Sequence, residues 1–255
     1  MSITWRVLNN IVGQGWFERQ RSTLSLIGYD PKATLLDLGC GDGELTLKIA
    51  QKSGTKSVYG IDIMAKNVDG ARAKGIDARK SDLEQKLPFE NETFDVVNAA
   101  DIIEHLTNTD NFLREIHRVL RVGGYVVIMT PNLAALHNIF YLVFGKQPNC
   151  ACVSDEVYAG TWQLSGNQHI HHDGKGLHLR IFTLSALEEL LNYHGFQVER
   201  SIGSVFQPFP IPLARVMCFI DKRHATSIIV KARKKEHVQD SYHSEKSRKL
   251  LPKNW

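Results

Sequence analysis

Two hydrophobic rhythms alternate along this chain. Short runs of nearly continuous apolar residues, Thr34 to Leu38, Ser57 to Ile61, Phe94 to Ala100 and Tyr125 to Met129, predict strands buried on both faces, with a weaker strand near Ala78 to Ser81. Helical stretches separate them, Gly43 to Lys52 and Ala65 to Lys74. The clearest helix places Phe112, Leu113, Ile116, Val119 and Leu120 in one stripe, with Gly123-Gly124 expected to end it. Strands alternating with helices argue an α/β fold, a parallel sheet covered on both faces.

The rhythm breaks after the fifth strand. Residues 131–180 hold no crossover helix of the expected length; Leu133 to Phe144 is strongly apolar and the rest is rich in Gly, Asn and His. Ser185-Ala-Leu-Glu188 reads as a capping box opening a helix closed by Gly195, and Phe196 to Ser201 and Ser227 to Ala232 read as two last strands. An insertion after the fifth strand lies at the carboxyl edge of the sheet, where open α/β folds bind ligands, so 131–180 is expected to form a lid facing an acceptor. Its apolar helix is either lid core or an interfacial element that brings peripheral membrane contact.

Composition sharpens this picture. The 255 residues carry 43% hydrophobic and 23% charged residues, a globular balance that excludes a chain disordered throughout. The longest apolar run, Ile139 to Phe144, is far short of a bilayer span, and Met1 to Arg6 lacks the order of a signal peptide. Four irregularly spaced cysteines offer no zinc or disulfide pattern, so a reduced, cytoplasmic protein is expected. The net charge of +4 sits in the tail: residues 231–255 hold eight Lys/Arg against three acids. One domain over 1–232 with a basic, flexible tail over 233–255 is expected, and such a tail either is simply solvated or touches nucleic acid.

The turn after the first strand, Leu36-Asp-Leu-Gly-Cys-Gly-Asp-Gly-Glu44, carries the candidate chemistry. Its glycines let a backbone approach a ligand closely, but the third falls one place early for a dinucleotide fingerprint. Asp37, Asp42 and Glu44 crowd the turn and Asp62 ends the neighbouring strand, which disfavours a pyrophosphate and suits a ligand with an ammonium, a sulfonium and a ribose diol.

Leu35-Leu-Asp-Leu-Gly-Cys-Gly-Asp-Gly43 resembles motif I of the class I S-adenosylmethionine-dependent methyltransferases. The resemblance continues through Gly60-Ile-Asp62, Ser81-Asp-Leu83, Leu87-Pro-Phe89, Phe94-Asp-Val-Val97, Ile103-Glu-His-Leu106 and Arg118-Val-Leu-Arg-Val-Gly-Gly-Tyr125, and is similar to the ubiquinone-type, or type 11, small-molecule branch. It implies a Rossmann-like seven-stranded sheet with an antiparallel C-terminal end, and S-adenosyl-L-methionine as cofactor. It further implies that Asp37, Gly39, Cys40 and Gly41 cradle the amino-acid part, Asp62 the ribose, Ile63, Asp82 and Leu83 the adenine, and that Ala100 lies beside the methionine portion.

Methyl transfer asks chiefly for alignment and dryness, and a hydroxyl acceptor can add a general base. His105 is the candidate base, or else an anchor for the loop after it. His169, His171, His172 and His178 cluster in the insertion, but adjacent residues diverge in a strand and no acid or thiol stands at ligand spacing, so no metal is expected. Cys150 and Cys152 read as ordinary loop thiols. Strand four ends Asn98-Ala-Ala-Asp101, without the Pro-Pro-aromatic of amide and adenine methylation, and no Pro-Cys nucleophile is present. These absences favour a small-molecule, glycan or lipid-linked acceptor, with a hydroxyl as the expected site of transfer. An RNA or protein methyltransferase using the basic tail, a non-catalytic scaffold that binds the cofactor, and a nicotinamide oxidoreductase are the alternatives.

Overall fold

A computed structural model describes residues 15–154, 156–157, 159–162 and 177–235. The expectations for Met1 to Arg6, for His169, His171 and His172, and for all but the first residues of the tail lie outside these.

Seven strands form one sheet: β1 (Thr34–Leu38), β2 (Ser57–Asp62), β3 (Asp77–Lys80), β4 (Phe94–Ala100), β5 (Leu120–Pro131), β6 (Phe196–Ser204) and β7 (Ser227–Lys234). Their order is β3-β2-β1-β4-β5-β7-β6. The first five pair in parallel, and β7 runs antiparallel to both β5 and β6. Seven helices accompany the sheet among the described residues: α1 (15–24), α2 (Glu44–Ser53), α3 (Ala65–Ala73), α4 (Thr109–Val119), α5 (Leu136–Val143), α6 (Leu184–Tyr193) and α7 (Ile211–Ile220). None is long and apolar enough to cross a membrane.

Alternate residues of β1 feed opposite cores, as the pleat requires. Leu36 and Leu38 join Phe112 and Ile116 of α4 and Leu187 of α6, while Leu35 joins Ile49 of α2, Leu26 and Val127. Both faces are therefore covered. The chain leaves β1 toward β2 on one side and β4 on the other, which opens a crevice at the carboxyl ends of β1 and β4.

Four local differences from the sequence reading stand out. Helix α4 stops at Val119, because Leu120 already takes an extended conformation and opens β5; Gly123 and Gly124 lie inside that strand, where its pairing with β4 shifts register. Thr183, rather than Ser185, caps α6 by accepting the Ala186 N–H, and Glu188 bonds Ser201 on β6. The apolar helix after β5 is shorter than its sequence stripe, and α7 enters between the two last strands, where no helix is expected from the sequence.

Candidate active site

The turn between β1 and α2 is pinned from below. The amides of Gly39 and Cys40 both donate to the Ile61 carbonyl, at 2.8 and 2.9 Å. Gly39 has φ +74°, and a Cβ there would lie 2.1 Å from Cδ1 of Ile102, so the turn sits directly on the residues after β4. Gly41, at φ +54°, has no atom within 4 Å of a Cβ position, leaving its backbone open to a ligand. The Cys40 thiol is buried, pushed up to about 12 mainly by that burial, and acts as packing against Gly60 rather than as chemistry.

Beneath the turn lies a buried polar triad. Asp37 accepts from Thr46 Oγ1 at 2.5 Å and from Asn98 Nδ2 at 2.7 Å. Burial raises its carboxyl to about 6, with the two hydrogen bonds opposing. Asp37 thus braces the turn from below with both oxygens engaged. Asn98 Oδ1 is buried without a partner.

Asp62, at the tip of β2, is 8% exposed. Its Oδ2 accepts from Gly41 N at 2.9 Å, and its Oδ1 from Met64 N at 2.8 Å and Asn67 Nδ2 at 3.1 Å. Ile63 beside it is 59% exposed, an apolar lid for a flat ring. Asp82, just past β3, is exposed and caps its own turn through the Glu84 N–H at 2.9 Å, while Leu83 is buried in the core. Ala100 ends β4 half-buried, opposite Met129.

The electrostatics differ from the sequence expectation. Asp42 pairs with Lys74 at 2.6 Å and Glu44 with Lys48 at 2.7 Å, so two of the crowding acids are neutralised outside the crevice. Asp62 is the acid of this set whose carboxylate stays at the turn itself, through Gly41 N. The residues fit S-adenosylmethionine: an open cradle at Gly41, an unpartnered amide oxygen under the turn, and a carboxylate at the ribose position.

Past β4 a second group converges. Asp101 pairs with Arg19 of α1 at 3.1 Å. In the 3-10 turn Ile103–His105, Glu104 is buried; its Oε2 accepts from Thr130 Oγ1 at 2.9 Å and its Oε1 has no hydrogen-bond partner. Burial, reinforced by Asp101, pushes the Glu104 carboxyl up to about 8. The returning segment is stapled here, because the Glu104 carbonyl accepts the amides of Leu179 and Arg180 at 2.7 and 3.0 Å. His105 Nδ1 faces the Leu177 carbonyl at 3.0 Å and His178 Nδ1 the Cys150 carbonyl at 3.2 Å, with the rings 5.0 Å apart. Those carbonyls assign the proton of each ring to Nδ1 and leave Nε2 as an acceptor. Burial, then His105, lowers the pKa of His178. One ligand atom from each of Glu104, His105 and His178 lies within 4.8 Å of the others, the one group among the described residues with the composition to hold a metal ion. From the sequence His105 was the leading candidate base, with Glu104 behind it, and His178 belonged to a histidine cluster; the pairing of the two histidines spans 73 positions, which no local pattern signals.

A family model described as a methyltransferase domain matches residues 36–128, from β1 into β5. The chain belongs to the class I S-adenosylmethionine-dependent methyltransferases. Within them it falls in the type 11 branch. It is 30% identical over 186 residues to the mitochondrial ubiquinone biosynthesis O-methyltransferase of Rattus norvegicus, covering 69% of this chain and 47% of that protein. It is also 30% identical over 152 residues to the ubiquinone/menaquinone biosynthesis C-methyltransferase UbiE of a Geobacter strain, covering 55% of this chain and 65% of that one. The matched stretch thus spans about half the length of the first relative and just under two thirds of the second. In fold, an S-adenosylmethionine-dependent methyltransferase from Mesorhizobium loti superposes with a TM-score of 0.58 at 22% identity, over 88% of this chain and all of that one.

Proposed function

We propose that this chain moves the methyl group of S-adenosylmethionine to a hydroxyl oxygen of a small, apolar acceptor such as a lipid-linked phenol. One juxtaposition carries the reading: the glycine turn at Gly39 rests on Ile102, two residues before the Glu104, His105 and His178 cluster. The relatives named for ubiquinone and menaquinone biosynthesis support a small-molecule acceptor.

When bound, S-adenosylmethionine supplies a methyl group on a positively charged sulfur. Asp62 would accept from the ribose hydroxyls, Ile63 would cover the adenine with Asp82 and Leu83 at its edge, and the backbone of 39–41 would approach the methionine end near Ala100. Transfer then depends on alignment and exclusion of water. Residues 131–180, a lid within a single unit over 1–232, would supply the cover. Loss of the hydroxyl proton to Nε2 of His105 or His178 would accompany transfer. A reduced, cytoplasmic setting accords with four free cysteines, two of them, Cys150 and Cys152, close together in one loop.

Calorimetric titration with S-adenosylhomocysteine, on the wild type and Asp62→Ala, tests the cofactor half. Micromolar binding lost in the variant is expected, and a wild type that binds nothing overturns the proposal. Radiolabel transfer to an alkylated phenol, but not to its methyl ether, tests the hydroxyl.

A further inference from the structure

Helix α7 is apolar on two faces. Ala214 is buried against Phe206 and Ala225, yet Leu213, Val216, Phe219 and Ile220 point outward, with Phe219 92% and Ile220 70% exposed. These four stand at i, i+3, i+6 and i+7, a row along one side of the helix. Its one charged residue, Arg215, is held by Glu18 of α1 through hydrogen bonds of 3.0 and 2.8 Å. An apolar row of this kind on a surface helix calls for a cover.

The charges around the row narrow what the cover is. Glu18 and Asp221 stand against Arg215, Lys222 and Arg223, and they largely satisfy one another, Glu18 with Arg215 and Asp221 with Arg223 and His224. A rim so balanced gives no hold to a strongly charged partner and suits an apolar one of low charge.

The point where α1 begins supplies such a partner. A Cβ on Gly15 would lie 3.9 Å from Cγ2 of Val205, the residue that follows β6 on the way to α7. One turn on, Glu18 reaches Arg215, and one turn further Ser22 Oγ accepts from Ser204 Oγ at 3.0 Å. Helix α1 therefore starts at the foot of α7, and residues 1–14, which lie outside the described residues, join the body there. Their sequence places Met1, Trp5, Leu8 and Val12 at alternating spacings of four and three, the repeat of a helix face, and Ser2, Arg6, Asn9 and Gly13 in a polar row one residue on. Arg6 is the one charged side chain among the fourteen. As a helix they would reach about 21 Å, enough to run the length of α7, about 15 Å.

We propose that residues 1–14 pack as an amphipathic helix along the outer face of α7, with Trp5, Leu8 and Val12 set against Val216, Phe219 and Ile220. The tether at Gly15 presents the segment at an effective concentration on the order of millimolar, so a modest apolar contact keeps it seated. The contact also clasps α1, whose Arg19 pairs with Asp101 just past β4, and so holds one wall of the crevice. It is independent of methyl transfer.

The test is brief trypsin digestion of the full chain, with cleavage after Arg6 scored by mass spectrometry. Two variants accompany it, Phe219→Asp/Ile220→Asp on α7 and Trp5→Asp/Leu8→Asp on the segment, with thermal unfolding as the control for the first. Arg6 should be cut about tenfold faster in both variants than in the wild type. A short bismaleimide should bridge Leu8→Cys to Phe219→Cys within one chain, and bridge Asn9→Cys to Phe219→Cys far less. Equal cleavage in the wild type and the segment variant overturns the proposal, and so does equal bridging from positions 8 and 9. A bridge formed only between chains, in a dimer that the α7 variant breaks, overturns it in favour of a second copy. Protection of Arg6 that appears only with lipid vesicles overturns it as well. Titration with S-adenosylhomocysteine is read separately, so failure of either reading leaves the other standing.

Discussion

Asp62 has less room for a ribose than a bare carboxylate would. Two oxygens offer about four lone-pair positions, and Gly41 N, Met64 N and Asn67 Nδ2 already use three. A ribose diol brings two donors, so one present donor must leave. The two amides are fixed by the turn and by the start of α3, which leaves Asn67, the longest of the three bonds at 3.1 Å. Asn67→Ala removes this competitor in advance. A hydrogen bond of this kind is worth about 1 kcal/mol net, so S-adenosylhomocysteine should bind roughly fivefold tighter to the variant. Titration calorimetry measures this directly, and an unchanged thermal midpoint would show that α3 is intact. Unchanged or weaker binding in a stable variant would refute the reasoning, since Asn67 would then be neutral or itself a ribose contact.

Two further outcomes follow from buried groups. Thr46→Val leaves the Asp37 carboxylate with one hydrogen bond; at pH 8 this should cost about 1.5–3 kcal/mol and lower the melting midpoint by roughly 3–12 °C. Burial holds Asp37 near 6, above its unfolded 3.8, so its favourable contribution is complete below 3.8 and fades as pH rises through 6; the variant should therefore lose more at pH 8 than at pH 5, and equal losses would count against the triad. His117 is held neutral by burial, its pKa pulled down to about 4, so its contribution is present above 6.5 and lost as pH falls from 6.5 toward 4. Denaturant titrations across that window should show a shallower pH slope for His117→Gln, and parallel slopes would exclude this residue as the cause.

Much of the scaffold was legible because buried parallel strands are written as unbroken apolar runs. Phe94 to Ala100 matches β4 residue for residue, and the glycine turn and Asp62 stand where strand, turn and helix demand. What escaped did so for physical reasons. Leu120 belongs equally to the stripe of α4 and to a strand, so only tertiary pairing with Phe94 decides. Residues 211–220 are apolar except for Arg215 after a proline-rich approach, and a pattern with so little polar contrast announces no helix. Asp42 and Glu44 seemed to guard the turn, but their lysine partners, Lys74 and Lys48, draw their charge away. The Glu104, His105 and His178 group depends on a chain return that local sequence does not encode.

Residues 132 and 182 touch: a parallel bridge joins Asn132 to Phe182, and Leu133 N donates to the Phe182 carbonyl at 2.8 Å. The described residues between them lie outside the seven strands, and the chain comes back to the same spot. Closing such an excursion costs little more as it lengthens, about 0.6 kcal/mol for each doubling. The stretch is in this sense a cassette with matched ends, exchangeable between related chains while β5 and α6 keep their places. A chimera carrying a relative's stretch should fold on the same sheet.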